Sequence, residues 1–231
     1  MIKYLQLPFL FDVPQLQAAV HALNETAWQL HFQVKHYHGN WSAIPLRSIG
    51  GDEKNGLISP NENAEYADTV FLKQSPYLQN VLQQFKCPML AVRLLKLSAG
   101  TQIHEHKDGG LCVEEGLLRL HIPIVTHEQV EFYLDSEPLF LAEGTCWYCN
   151  FNLPHALHNK SNVDRIHLVI DAKVNDWVTK QFSLPSIINK KEIVDAPRHT
   201  NEELQQIIFH LKQQNTDVSL KLAKEMETQL K

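Results

Sequence analysis

The chain has 231 residues and 26.6 kDa, enough for one domain with a substantial core and a small appendage. It is 44% hydrophobic and 20% charged, with a net charge of −5 and no long basic run, which argues against a nucleic-acid partner. No stretch reaches the roughly 20 apolar residues of a membrane span. The apolar start, Met1 to Phe9, is short and is interrupted by Asp12 and Pro14. Neither a membrane nor a leader peptide is expected, and the cytoplasm is the expected location.

A first helix is predicted over 14–24, with Pro14 at its start and Leu16, Ala19, Val20 and Leu23 as its apolar stripe. Trp41 to Pro60 reads as a strand followed by a long Gly-, Asn- and Ser-rich loop. A second helix opens on Ser75-Pro76 and repeats Leu78, Val81, Leu82 and Phe85 at helical spacing, before Pro88 ends it. From about 90 to 171 the period changes to short strands: Ala91–Leu97, Leu117–Val125, Val130–Leu134, Thr145–Cys149 and Arg165–Ile170. Turn signals such as Ser98-Ala99-Gly100 and Asp135-Ser136 separate them, which predicts a sandwich, jelly roll or barrel. The tail returns to helix. Thr200-Asn201-Glu202-Glu203 has the form of a capping box, and Leu204, Ile207, Ile208 and Leu211 follow on one face. A last helix begins near Asp217, with Val218, Leu222 and Met226 in a row. The expected organisation is a mainly β domain with N-terminal helices over 1–180 and a helical extension over 181–231, which either packs on the domain or makes a homodimer.

Cys146 and Cys149 form a CxxC, but on a strand residues three apart face opposite sides. No second CxxC completes a zinc site, so these read as reduced packing cysteines.

Alternation on two strands is informative. Arg119 and His121 share one face of Leu117–Val125, opposite Leu118, Leu120 and Ile122. Arg165 and His167 share a face opposite Ile166, Leu168 and Ile170. The same Arg-x-His arrangement twice, in a chain with five arginines, points to the lining of a barrel cavity and not to water. A guanidinium there matches a carboxylate in a bidentate fork.

His106 and Asp108 lie two apart, so on an extended segment both reach one ion, and a distal His155 completes a 2-His-1-carboxylate set. That set fills one face of a metal and leaves the other open, as a non-haem Fe(II) oxygenase requires. Arg165, ten residues after His155, is suited to the carboxylate of an organic acid that chelates the iron. By residue chemistry alone two alternatives stay open. His158 stands three after His155, and His104 with His106 is a zinc pair of the kind a cupin-like metal-binding protein without cosubstrate would use, with His121 as a third donor. Arg93 and Arg47 are candidates for a substrate carboxylate, against the plainer reading of structural or surface arginines. Trp41 and Trp147 are either pocket wall or core.

Four ordered stretches carry a family resemblance. They are Gly100 through His106-Lys107-Asp108; Arg119-Leu120-His121-Ile122-Pro123; Gly144-Thr145-Cys146-Trp147-Tyr148; and Pro154-His155-Ala156-Leu157-His158-Asn159 on to Arg165 through Asp171. Over roughly 36–178 the chain resembles the aspartyl/asparaginyl β-hydroxylase family of Fe(II)- and 2-oxoglutarate-dependent oxygenases. The resemblance implies a double-stranded β-helix, of jelly-roll and cupin-like form. It implies Fe(II) held by His106, Asp108 and His155, with His155 preferred to His158. It implies 2-oxoglutarate as cosubstrate, its distal carboxylate on Arg165, and Arg119 and His121 near it. The reaction implied is hydroxylation of an amino-acid side chain by O2, with 2-oxoglutarate decarboxylated to succinate and ascorbate as an auxiliary reductant. Animal members have glycine where this chain has Asp108. The complete triad sets the chain with a bacterial branch that hydroxylates free proline, beside which a peptidyl Asp, Asn or Pro residue is the other expected substrate. A carboxylate at 108 also argues against halogenation, which needs that iron position for a halide.

Overall fold

The computed structural model describes residues 1–30, 37–55, 61–185, 187, 189–193, 201–228 and 230. The strands are β1 (Ile2–Leu10), β2 (Gln29–Leu30), β3 (Tyr37–His38), β4 (Trp41–Ile49), β5 (Tyr66–Asp68), β6 (Met89–Leu97), β7 (Gln102–His106), β8 (Leu117–Val125), β9 (Val130–Leu134), β10 (Glu137–Pro138), β11 (Thr145–Cys149), β12 (His155–Asn159), β13 (Arg165–Lys173) and β14 (Lys190–Glu192). The helices are α1 (Val13–His21), α2 (Val70–Lys73), α3 (Pro76–Leu82), α4 (Asp176–Phe182), α5 (Asn201–Gln214) and α6 (Asp217–Glu227). Among the described residues no helix is long and apolar enough to cross a membrane.

Two antiparallel sheets form the body. The larger runs β14-β1-β11-β8-β13-β6-β4-β2, with β5 on the edge of β4, and the smaller runs β10-β9-β12-β7-β3. This is a jelly-roll core of cupin-like form with helices on one side, as expected from the alternating short strands. Two hydrophobic cores exist because the larger sheet is covered on both faces. On its outer face Leu118, Leu120 and Ile122 of β8 and Ile166, Leu168 and Ile170 of β13 pack with Leu16 and Val20 of α1, Leu78 and Val81 of α3, and Val178 and Phe182 of α4. On its inner face Trp41, Leu95, Trp147 and Val169 meet Ile103, Phe132, Leu134 and Leu157 of the smaller sheet. Removing this much apolar surface from water is the main driving force for the sandwich. Cys146 enters the outer core and Cys149 the inner one, so the CxxC is split across the sheet, and all four thiols are free.

The helix ends follow local chemistry. The Asp12 side chain accepts from the Gln15 amide and caps α1. Ser75 precedes Pro76 at the start of α3 but makes no side-chain cap bond. Phe85 lies beyond the end of α3 and still reaches the outer core. The end of the predicted loop, 56–60, and Thr200 of the predicted capping box lie outside the described residues.

The chain divides into a larger unit, Ile2–Glu192, and a smaller one of Met1 with Ile193–Lys231. β14 belongs to the larger unit, because it pairs antiparallel with β1. Within the smaller unit α5 and α6 share a small core of Leu204, Ile208 and Ala223. A capping box between Thr216 and Ser219 starts α6.

Candidate functional site

β7 and β12 pair antiparallel with His106 directly opposite His155, and the two rings come within 4.2 Å, centroid to centroid. Asp108 lies just past the end of β7, where its amide donates to the Phe151 carbonyl at 2.9 Å. One donor atom each from His106, Asp108 and His155 lie within 4.8 Å of one another. The tautomers are set by the backbone. His106 Nδ1 lies 2.8 Å from the His104 carbonyl oxygen, and His155 Nδ1 lies 3.0 Å from that of Leu153. A carbonyl only accepts, so each Nδ1 carries the proton and each Nε2 keeps a lone pair. Metal-ligating histidines are oriented in this way by the bond at their other nitrogen. Burial, and then the neighbouring His106, push His155 down to about 4, so its ring is neutral near pH 7. A neutral imidazole is the form that ligates a metal.

His158 is on the other face of β12: His155 and Leu157 line the cavity beside the metal-ligand group, and His158 does not. His104 contributes its carbonyl to His106, while its side chain is exposed and stands outside the group. Among the described residues His106, Asp108 and His155 are the one cluster of this kind.

The cavity is lined by these three residues, by Arg119, His121 and Arg165, and by an apolar wall that includes Trp41, Ile103, Phe132 and Phe151. Arg119 uses its guanidinium on two carboxylates. It donates to Asp108 Oδ2 at 2.7 Å and grips Asp171 with Nε at 2.6 Å and the second terminal nitrogen at 3.0 Å. Arg93 also donates to Asp171. Burial alone would raise the Asp171 carboxyl, but Arg119 and Arg93 more than offset it and hold it below its usual range.

Arg165 differs. It is 7% exposed, and its one bond among the described residues goes to His167 Nδ1 at 3.0 Å. Guanidinium is donor-only, so His167 Nδ1 accepts and its proton is on Nε2. His121 Nδ1, 3.3 Å from the same acceptor, is then the donor, which leaves His121 Nε2 as a lone pair. Both Nε2 atoms are buried with no partner. No carboxylate faces Arg165 among the described residues, and burial pulls its pKa down from the ordinary value. A buried cation without a counter-ion is costly, and an anionic ligand relieves that cost.

The donor set therefore fits Fe(II): two neutral imidazoles and a carboxylate on one side, an open cavity on the other. Arg165, buried in the cavity wall with no carboxylate partner among the described residues, fits a carboxylate of a chelating organic acid.

The structure brings His106, Asp108, His155, Arg119, His121 and Arg165 to one cavity and leaves two sequence candidates elsewhere. Arg93 is 2% exposed, lies outside the cavity lining and bonds to Asp171. Arg47 pairs with Asp68 and donates to the Tyr66 carbonyl at 2.8 Å, in a separate cleft with Gln79, Phe85 and Cys87. Trp41 is cavity wall, whereas Trp147 is inner core. The residue that sequence reasoning missed is Asp171. It stands on the face of β13 that also carries Arg165 and His167, directly opposite Arg119 of β8. Extending the alternation two positions past Val169 finds it.

Known proteins resemble the chain in fold and in sequence. A solved oxidoreductase of the 2OG-Fe(II) oxygenase family from Burkholderia pseudomallei matches with a TM-score of 0.51 at 14% identity, over 75% of this chain and 86% of that one, and shares the fold. L-proline cis-4-hydroxylase of Rhizobium meliloti (strain 1021) is 24% identical over 169 residues, 72% of this chain. The alignment spans 60% of the length of that relative. The model of the family described as Aspartyl/Asparaginyl beta-hydroxylase matches residues 13–174, the span that holds the three clustered donors, Arg119, Arg165 and Asp171. The chain belongs to the Aspartyl/Asparaginyl beta-hydroxylase family.

Proposed function

We propose that the protein is an Fe(II)- and 2-oxoglutarate-dependent oxygenase that hydroxylates the side chain of an amino acid, with a free amino acid of the proline kind as substrate. The observation that carries the reading is the pairing of two features in one cavity: the His106, Asp108 and His155 donors and the buried, anion-seeking Arg165. His106 and His155 would hold the iron through Nε2 and Asp108 through Oδ1, while Arg165 would take the distal carboxylate of 2-oxoglutarate. Bound together, iron and 2-oxoglutarate supply the oxidising equivalents from O2 that turn C–H into C–OH, with succinate and CO2 released. The protein's own residues do the rest. The two backbone carbonyls aim the imidazoles, Arg119 holds Asp108, and Trp41, Ile103, Phe132, Phe151 and Leu157 line the cavity with apolar surface that keeps water away.

The substrate class rests on the name of the Rhizobium meliloti relative, L-proline cis-4-hydroxylase. We also infer a cytoplasmic setting, supported by the four free thiols. A homodimer through α5 and α6 is supported by Phe209, Val218 and Leu222, which are exposed there; a monomeric mass by light scattering would remove it.

The test is succinate release. Purified protein with Fe(II), 2-oxoglutarate, ascorbate and O2 is expected to form succinate slowly alone and faster with L-proline or a close analogue in an amino-acid panel. Arg165→Ala is expected to raise the 2-oxoglutarate requirement by ten-fold or more, on the order of a lost charge-assisted bond, while metal binding survives. No succinate under any condition, or an unchanged 2-oxoglutarate requirement in Arg165→Ala, would overturn the proposal.

A further inference from the structure

Four charged side chains form a continuous chain behind the candidate iron site, Arg93 to Asp171, Asp171 to Arg119, Arg119 to Asp108, the first three buried and Asp108 partly so. Asp171 is fully buried and is placed by the sheet, as the cross-strand partner of Arg119. Its two oxygens fix the guanidinium from one edge, Oδ1 taking Nε and Oδ2 the second terminal nitrogen. The remaining terminal nitrogen then points at Asp108 Oδ2 at 2.7 Å. Asp108 is the one member of the donor set outside a regular strand, so its carboxylate lacks the rigid support that β7 and β12 give the histidines. Its other oxygen, Oδ1, faces the imidazole of His106, 3.7 Å from Nε2.

We propose that Asp171 is a positioning residue for the metal-ligating carboxylate: by locking Arg119 it ties off Asp108 Oδ2 and presents Oδ1 alone to the metal. The inference rests on the reading of Asp108 as a ligand. Its consequence is a carboxylate held in one-oxygen coordination, which keeps the opposite side of the metal open for cosubstrate. Arg93 balances the second charge, so Asp171 can grip Arg119 without leaving an excess of negative charge in the core.

The test uses Co(II) as the probe, because its visible spectrum reports ligand number and geometry without turnover. Co(II) affinity and spectrum are measured for the unmutated protein, Asp108→Ala and Asp171→Asn, each below its melting temperature. Asp171→Asn is expected to bind Co(II) about ten- to a hundred-fold more weakly, the range for removing an outer partner of a metal ligand, and to alter the spectrum. If Asp171→Asn does not fold, the double variant Arg93→Met/Asp171→Asn, which removes one buried cation with the anion, answers in its place with the same expected loss. A folded variant that matches the unmutated protein in affinity and spectrum, while Asp108→Ala loses Co(II), overturns the positioning role alone. Full Co(II) binding by Asp108→Ala overturns the ligand reading and the positioning role with it.

Discussion

His167 shows how a single buried ring couples the site to pH. Its Nδ1 must keep a lone pair to accept from Arg165, and protonation there would set two cations 3.0 Å apart. Burial, then Arg165 and His121, hold His167 well below its ordinary value of 6.5. His121 is held down in the same way, by burial and then by Arg165 and Arg119. The unfolded chain therefore takes up protons near pH 6.5 that the folded chain refuses. Stability is complete above that pH and is lost as pH falls through it. The melting temperature of the metal-free protein is expected to drop between about pH 7 and pH 5. His167→Gln, whose amide oxygen still accepts from Arg165, is expected to flatten the drop; a profile parallel to that of the unmutated protein would remove His167 as its source. At this scale much of the site was legible. His106 with Asp108, and the Arg-x-His pairs of β8 and β13, follow from a period of two. Arg93 and Arg47 lie outside the cavity, and a sequence does not show that an arginine already has a partner: Arg93 is bound to Asp171 and Arg47 to Asp68.

Among the elements, β11 depends on the turn before it. Gly144 holds φ at +74°, its carbonyl accepts from the Phe11 amide at 2.8 Å, and its own amide donates to the Pro123 carbonyl at 2.9 Å. A Cβ at this position would come within 2.6 Å of the Phe11 carbonyl oxygen and 2.9 Å of Val13 Cγ2. Gly144→Ala must therefore displace the connection between β1 and α1 and strain its own backbone, a cost of roughly 1–3 kcal/mol. The expected result is a lower midpoint in urea at unchanged slope, and an unchanged midpoint would show that the turn relaxes freely. The strands read directly from the sequence, such as β8, β9 and β11, are those with β-branched or aromatic runs. β7 and β12 were not read as strands, although they carry two of the three donors. Gln102–His106 and His155–Asn159 are rich in histidine and polar residues, so their extended form comes from pairing with each other and with β9, not from local preference. β1 escaped notice for another reason. Its residues Leu5, Leu7 and Phe9 alternate, but Pro8 falls within the run and argues against a strand.

For the whole molecule, the distribution of cores decides what the site needs. Both large cores and every residue of the candidate site lie within Ile2–Glu192. The smaller unit contributes its own core of Leu204, Ile208 and Ala223, to which Leu211 and Met226 add. So small a cluster gives little stability by itself, whereas the larger unit buries apolar side chains on both faces of its principal sheet. β14 covers the β1 edge of that sheet, so a cut placed before Lys190 would expose β1 and a cut after Glu192 would keep it paired. A chain ending after Glu192 is therefore expected to fold and to bind Co(II) within about twofold of the full chain, because the three donors and both large cores lie within Ile2–Glu192. A chain ending after residue 180 loses the last two residues of α4, including Phe182 of the outer core, and β14. It is expected to melt at a lower temperature and to aggregate through the open edge of β1. Comparing the two truncations by thermal melting, light scattering and Co(II) titration separates sheet closure from the helical extension. Equal behaviour of the two would show that neither Phe182 nor β14 supports the site. Loss of Co(II) affinity in the longer one would make α5 and α6 part of what holds the metal centre in shape.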